Sequence, residues 1–471
     1  MTTPSIMTEP KGDAADVQPI VHALDESLLA SFRRDFESRP AARLARNAVT
    51  QVSVDDVALS RPVIAGTDHT FSHKLDDWAV TNQKKSGRCW MFAALNLFRV
   101  GAMKKMNLKE FEFSQAYTLF WDKLERANFF LESILQTANR PVDDRRVAFL
   151  LARPLDDGGQ WNMFVNLVRK HGLVPKSVMP ESESSSNTRR MNEVLLTRLR
   201  EAAMILRRLR GDGAPMEAAQ AAKREALAVI HRILCIHLGT PPAPPPLSGG
   251  FDWQWNDKDN NFHRDGAMTP VQFARKYVDL PIDDYVCLVN DPRKEHPFNR
   301  TYTVEFLGNV VGGAPVVYLN VEIEAMKQIA MRTIMGGEPV WFGCDVGKMM
   351  RRDLGIWDRR LFDYENVYDT TFTMTKADRL HHQETQMTHA MLFTGVDVVD
   401  DRPRRWRVEN SWGEEDTGRK GFFVMNDNWF DEHMFEIAAR KSALTPAMIE
   451  GLATEPIVLP PWDPMGALAR S

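Results

Sequence analysis

The chain has 471 residues, with 59 Lys or Arg against 63 Asp or Glu, a formal net charge of −4, and 44% hydrophobic and 26% charged residues. That is an ordinary globular mix, long enough for about three domains, and charge of this sign does not recruit nucleic acid or an anionic membrane. The four cysteines, Cys89, Cys235, Cys287 and Cys344, form no CxxC pair, which argues against a disulfide framework or a thiolate zinc site and for a reducing cytosol.

Residues 1–19 are polar and proline-containing, the composition of a disordered extension, and lack the basic-then-apolar order of a secretory signal. No run approaches 18 apolar residues, so no membrane span is expected. Helical spacing begins near Asp25, with Leu28, Leu29, Phe32 and Phe36 on one side. From Cys89 to about Met106, the residues Phe92, Leu95, Phe98, Ala102 and Met106 recur every three or four positions. That pattern predicts an amphipathic helix, with Ser86 as its N-cap. A second helix is expected from Ser114. DDGGQW (156–161) punctuates the chain before a helical pattern to about His171. Residues 187–237 read as a helical pair broken at GDGAP (211–215), and TPPAPPPLSGG (240–250) as a loop or stiff spacer. After it come short β-branched and aromatic runs: YTVEFL, APVVYLNVEI, PVWFGCDV, HAMLFTGVDVV, RRWRVEN and GFFVMN. They predict strands of an antiparallel sheet or barrel. Helices first and strands second define an α+β arrangement, and no internal repeat is visible.

Cys89 sits where a helix is expected to begin, in TNQKKSGRCWMFAALN. A lone Cys-Trp is most often core, because cysteine is among the most buried residues. A helix N-terminus also lowers a thiol pKa, since its unpaired N–H groups favour negative charge. Both readings stand on this stretch alone. A catalytic thiol further needs a proton acceptor and an oxyanion donor. Gln83, six residues upstream, carries an amide that suits the second role beside the Cys89 N–H. Among twelve histidines, His389 opens an apolar strand and can face a cleft while the strand anchors it. Asn410, 21 residues later in VENSWG, can orient its ring from a neighbouring strand, with Trp412 shielding the bond from water. Taken singly, His389 reads as a structural histidine and Asn410 as a turn residue.

NQKKSGRCW, MTHAMLFTGVD and ENSWGEEDTGRKGFFVMND resemble the three active-site blocks of papain-type cysteine peptidases. TDHTFSHKLDDWAVTNQ, FSQAYTLFWDKLERANFFLE, DGGQWNMFVNLV, GLVPKSVMPES and the tail WDPMGALA resemble the bleomycin hydrolase (aminopeptidase C) branch, from about residue 25 onward. The resemblance implies a papain-like two-lobed unit over 20–471. It has a helical lobe at about 75–180, a large helical insertion at about 181–300 that builds a homohexamer, and a β lobe at about 301–440. A tail at about 441–471 enters the cleft. It implies Cys89 as nucleophile, His389 as base and then acid, Asn410 as orienter and Gln83 as oxyanion donor. No cofactor or metal is implied. Where secreted relatives carry a disulfide cysteine three residues before the nucleophile, this chain has Ser86, which fits a cytoplasmic home.

In the family the C-terminal carboxylate meets the substrate's free amine, by a charge-assisted bond, and blocks longer chains. Relatives end near Ala or Ala-Lys. This chain ends Ala469-Arg470-Ser471, so self-trimming of Ser471, and of Arg470 with it, is the expectation. The function implied is a cysteine aminopeptidase acting on short peptides with a free N-terminus and on related amides. Two alternatives come from other classes. RRLR (207–210) and RPRRWR (402–407) would suit a nucleic-acid-binding ring, though solvated basic faces are the default. A Cys-His amidase or acyltransferase would use the same thiol. His381, His382 and Glu384 match no metal-binding helix spacing, and GNVVGG (308–313) lacks the ending of a phosphate loop.

Overall fold

The computed structural model describes residues 22–75, 78–242, 250–415 and 417–470, with Arg470 described by its backbone. The extension expected to be disordered (1–19), most of the proline-rich stretch and Ser471 lie outside the described residues.

Asp25 accepts the Leu28 N–H at 2.8 Å and so caps α1 (Glu26–Ser38), because a free N–H at a helix start needs an acceptor. Pro40 opens α2 (Pro40–Val49), where its missing N–H breaks no helical bond. Together with residues 50–59 and 362–372 these helices belong to one of two compact units. Within it Tyr364 Oη donates to Asp55 at 2.6 Å, Arg39 pairs with Asp35 and Asp369, and Leu59 bridges Phe362. The apolar stripe of α1 is present, yet Leu28, Leu29 and Phe32 are exposed.

The second unit, residues 60–361 and 373 onward, holds the large core. Its helices include α3 (Cys89–Met106), α4 (Gln115–Gln136), α5 (Trp161–His171), α6 (Arg189–Gly211) and α7 (Met216–Leu238). The α6–α7 pair is the hairpin expected from the sequence, and both members pack on α4. α3 departs from expectation. It is buried on nearly every side, Trp90, Met91, Ala94 and Phe98 being fully enclosed. A helix lying between other helices and a sheet has no solvent face to make polar. Nor does Ser86 cap it. The N-cap is Arg88, without a side-chain bond, while Ser86 Oγ donates to Gln83 O at 2.6 Å and accepts Arg88 Nε at 2.9 Å.

The sheet uses β1 (Tyr285–Val289), β2 (Thr301–Val304), β3 (Tyr318–Asn320), β4 (Val340–Cys344), β5 (His389–Val399), β6 (Arg402–Glu409), β7 (Phe422–Asn426), β8 (Met434–Arg440) and β9 (Ile457–Leu459). Their order is β9-β2-β3-β1-β8-β4-β5-β6-β7, continued by two short strands, with His73–Lys74 pairing β5. Most pairs are antiparallel as expected. Three are parallel: β1 with β3, β2 with β9, and β7 with Ile356–Trp357. β1 and β3 share a direction because the chain returns through β2, antiparallel to β3, between them.

Alternation along the strands gives the sheet two apolar faces. Trp341, Ala390, Leu392 and Ala438 join the core shared with the helices. Phe342, Met391, Phe393 and Ile437 join Trp406 and Phe430 in a second core. Polar ties hold α3 to the sheet. Trp341 Nε1 donates to Trp90 O at 3.0 Å. Buried Glu409, the last residue of β6, accepts from Arg99 and Trp78 at 2.6 Å and from Asn96 at 2.9 Å. Removing one partner of a buried ion pair strands the other charge and costs about 3–5 kcal/mol. Arg99→Leu is therefore expected to lower the unfolding free energy by about that amount. A denaturant titration showing a loss below about 1 kcal/mol would reject the role given to this pair.

Candidate active site

Cys89 is the first residue of α3 and is 2% exposed. Both flanks are fixed. Before it, Gly87 N–H donates to Asp157 Oδ2 at 3.1 Å, and buried Arg88 forms a two-pronged pair with Glu181 at 2.8 and 2.7 Å. After it, Trp90 Nε1 donates to Asp157 O at 2.7 Å. Trp90 also lies against Gly159, where a Cβ would come within 2.5 Å of the indole. That contact is the reason for glycine in DDGGQW. As the first helical residue, Cys89 has an N–H without an intrahelical acceptor.

β5 brings the histidine. The N–H of Ala390 acts on the Cys89 sulfur, and His389 itself pairs with Cys344 of β4. His389 Nε2 donates to Asn410 Oδ1 at 3.0 Å, and the same oxygen accepts Ser411 N–H at 2.8 Å. Two donors on one oxygen fix the amide orientation and leave His389 Nδ1 carrying the lone pair. The Trp412 ring lies 5.0 Å from the imidazole, centroid to centroid. Arg352 covers its other neighbourhood, 5.0 Å from the indole centroid.

Gln83 is held on the other side of Asn410. Its N–H donates to Ser411 O at 2.8 Å, and its Oε1 accepts Ser411 Oγ at 2.6 Å. Its Nε2 donates one hydrogen to Ser86 O at 2.6 Å, which leaves the second N–H of the amide for a ligand. Asn82 bridges Trp412. Gly413, at φ +79°, is required there, because a Cβ would meet Asn82 Nδ2 at 2.4 Å. Cys89, His389, Asn410, Gln83 and Trp412 thus fall in one neighbourhood.

Burial opposes charge on both Cys89 and His389. It pushes the Cys89 thiol up to about 11, against the pull of N–H groups from Ala390, Trp90 and Cys89 itself. It draws the His389 imidazole down to about 4, against the Asn410 bond. Burial thus disfavours charge on both groups, while the N–H groups at the head of α3 and the Asn410 bond favour it.

The tail is buried as well. Arg293, paired with Asp291, reaches Asp463 at 3.0 Å. Met465 O accepts from Tyr318 Oη at 3.1 Å and Gln160 Nε2 at 3.5 Å. Ala469 is 4% exposed and its carbonyl accepts Arg126 Nη1 at 3.1 Å. Arg470 ends the last helical turn; its side chain and Ser471 lie outside the described residues.

The other clusters singled out in the sequence are absorbed by local partners. Arg207 and Arg210 donate to the carbonyls of Thr137 and Ala214, and Arg404 and Arg405 pair with Asp397. His381 faces Glu295 at 3.4 Å and Glu384 pairs with Lys348 at 2.7 Å.

A thiol at a helix start, an imidazole held by an asparagine and a side-chain amide beside them, on this two-lobed α+β fold, define a cysteine peptidase class. The chain belongs to the Peptidase C1-like family, whose profile matches residues 23–466. It is 44% identical over 457 residues to a bleomycin hydrolase of Homo sapiens, covering 95% of this chain and 99% of that one. It is 43% identical over 445 residues to an aminopeptidase C of Lactobacillus delbrueckii subsp. lactis, covering 94% and 97%. The crystal structure of PepW from Lactobacillus rhamnosis superposes with a TM-score of 0.91 at 45% identity, covering 94% of this chain and 99% of that one.

Three groups around the site escaped sequence reasoning. Asp157 and Ser411 sit inside quoted motifs, but their partners are set by the fold. Glu436, on β8, is fully buried, with the Cys287 thiol as its hydrogen-bonding neighbour. Only its alternation with apolar neighbours in MFEIAA could have signalled an inward carboxylate. Burial pushes it up to about 8, the Cys287 side chain beside it acting the other way. A carboxyl with a raised folded pKa burdens the fold only where it must ionise. The burden is absent below the unfolded value near 4.5, grows as pH rises, and is complete above about 8. Glu436→Gln is therefore expected to stabilise the protein at pH 8.5 and to leave its melting temperature unchanged at pH 4.5. A stability difference independent of pH between these values would refute the assignment.

Proposed function

We propose that this protein is a cysteine aminopeptidase that removes N-terminal residues from short peptides and hydrolyses related amides. The observation that carries the reading is the His389 Nε2 to Asn410 Oδ1 bond at 3.0 Å, next to an Ala390 N–H that acts on the sulfur at the head of α3. The relatives named for bleomycin hydrolysis and aminopeptidase activity support it.

Cys89 Sγ attacks the first peptide carbonyl as its proton passes to His389 Nδ1. The resulting oxyanion is held by the Cys89 N–H and by the second N–H of Gln83. Preorganised donors of this kind act at the charge that develops in the transition state. His389 then gives its proton to the leaving amine. A water, deprotonated by His389, attacks the thioester carbonyl, and the acyl group leaves as the free acid while Cys89 regains its proton. Asn410 keeps the ring in one tautomer throughout, and Trp412 keeps water from their bond.

The tail at Ala469, Arg470 and Ser471 is the proposed gate, its carboxylate pairing with the substrate's ammonium. Support comes from the buried course of 463–469 between Arg293, Tyr318, Gln160 and Arg126. A homohexamer assembled through the insertion and a cytoplasmic location complete the proposal. The described cysteines are all free, and no described helix is long and apolar enough to cross a membrane.

The test is cleavage of a fluorogenic aminoacyl amide and of its N-acetylated twin. Wild type is expected to cut only the free-amine substrate, and Cys89→Ala neither. Equal cutting of both substrates would remove the gate, and activity surviving in Cys89→Ala would sink the thiol mechanism. Gln83→Ala is expected to lower kcat by roughly 10²–10³ with KM little changed, since its donor acts mainly in the transition state. A change confined to KM would place Gln83 in ground-state binding instead.

A further inference from the structure

In the proposed mechanism His389 gives its proton to the leaving amine, so the residue that departs lies on the imidazole's side of Cys89. The surface beside the imidazole is the Trp412 indole, 5.0 Å away between ring centres. That indole is fixed from two directions. Its backbone pairs with Asn82, the residue before Gln83, and its ring meets Phe423 edge-on at 6.0 Å. The guanidinium of Arg352 lies over the same indole, 5.0 Å from its centroid. Arg352 stands on a turn that is itself held. Its carbonyl accepts Gly418 N–H at 3.0 Å and Gly355 N–H at 3.2 Å, and a Cβ on Gly355 would come within 2.5 Å of Gly418 Cα.

The charge of Arg352 is uncommitted, whereas its neighbours have partners. Arg351 pairs with Asp353 at 2.7 Å and Lys348 with Glu384 at 2.7 Å. Among the described residues Arg352 makes no ion pair, although Glu414 and Glu415, both exposed, follow Trp412 after a single glycine. A guanidinium laid on an indole is attracted through its flat face, which leaves its in-plane N–H donors free for a planar acceptor. The tail is held elsewhere, by Arg293, Tyr318, Gln160 and Arg126, so the gate proposed for the substrate's amine does not occupy this turn.

We propose that Arg352 recognises a carboxylate on the leaving residue, the second residue of the substrate, and so directs the enzyme toward peptides that carry a negative charge there. The proposal rests on the cysteine aminopeptidase reading. Reach fits it. The two separations of 5.0 Å keep the Arg352 guanidinium within about 10 Å of the imidazole centre. A hydrogen bond at each end takes about 3 Å, and one extended residue about 3.5 Å. A carboxylate carried by the leaving residue itself fills that interval. Its source is either the α-carboxylate of a dipeptide or the side chain of an aspartate or glutamate in a longer chain. Either offers two oxygens to a guanidinium, the geometry of a two-pronged charge-assisted bond.

The test compares kcat/KM within two pairs of peptides, on wild type, Arg352→Gln and Arg352→Glu. The amides of leucyl-aspartate and leucyl-asparagine differ only in the side-chain charge of the leaving residue. Leucyl-alanine and its amide differ only in the α-carboxylate. Wild type is expected to favour the charged member of at least one pair by about threefold or more, the scale of a partly exposed ion pair, and the pair that responds identifies the source of the carboxylate. Arg352→Gln is expected to bring that ratio to about one, and Arg352→Glu to take it below one, an inversion that loss of packing on Trp412 would not produce. Ratios near one for both pairs in wild type, or a preference that survives in both variants, overturn the carboxylate site while cleavage of the neutral members leaves the peptidase reading standing. Failure of wild type to cleave any of the four overturns both.

Discussion

The placement of Cys89 depends on one buried charge, Asp157. Its carboxylate is 7% exposed and takes Lys123 Nζ from α4, Gly87 N–H from the segment before Cys89, and Thr188 Oγ1 and Asn192 Nδ2 from the start of α6. Its own carbonyl takes Trp90 Nε1. Burial opposes this charge, yet the Lys123 ammonium and the remaining donors outweigh it and hold the carboxyl well below the usual range. An ionised group inside a protein tolerates few arrangements, because each lost donor leaves charge uncompensated. Gly87 and Trp90, on either side of Cys89, are therefore bound to the same residue, one through its carboxylate and one through its carbonyl, and the head of α3 has little freedom to drift from β5.

The sheet side is fixed by a comparable device. Glu409 gathers Arg99, Trp78 and Asn96, and the next residue is Asn410, which holds His389. Ser411 follows and holds Gln83 by two bonds. Three successive residues at the end of β6 thus anchor α3, orient the imidazole and position the amide. Polar groups that would be costly to bury singly become a scaffold when they share partners in this way. Between the two anchored sides lie a thiol and an imidazole whose charge burial opposes and whose hydrogen-bond donors and acceptor favour.

The sequence made the candidate residues Cys89, His389, Asn410 and Gln83 legible because the roles proposed for them demand particular side chains in particular local settings. Helix starts and strand ends are written in short-range pattern, so α3, the α6–α7 hairpin, β5 and β6 were readable. What was not readable depends on partners distant along the chain. The full burial of α3 follows from a sheet that lies hundreds of residues away. The displacement of Ser86 from its capping role follows from Gln83 and Arg88 competing for its hydroxyl. The parallel pairs of the sheet depend on strand order, which periodicity does not encode. β1 and β8 carry no turn signal distinctive enough to set them apart, although β8 lies at the centre of the sheet. Glu436 was invisible for the same reason, since its burial is a property of its neighbours.

Cys89 and His389 stand three hundred residues apart in the chain, and what brings them together is the packing of α3 on β4 and β5. Such non-local closure is slow, since chain entropy must be lost before the distant contacts form. During synthesis at about 5–20 residues per second, the thiol waits roughly 15–60 s before the histidine that would activate it has been made. For a protein whose proposed work is to cut other chains, this order of assembly is a safeguard. A nascent or broken fragment that carries the nucleophile carries no base, and the hazard appears only together with the finished fold.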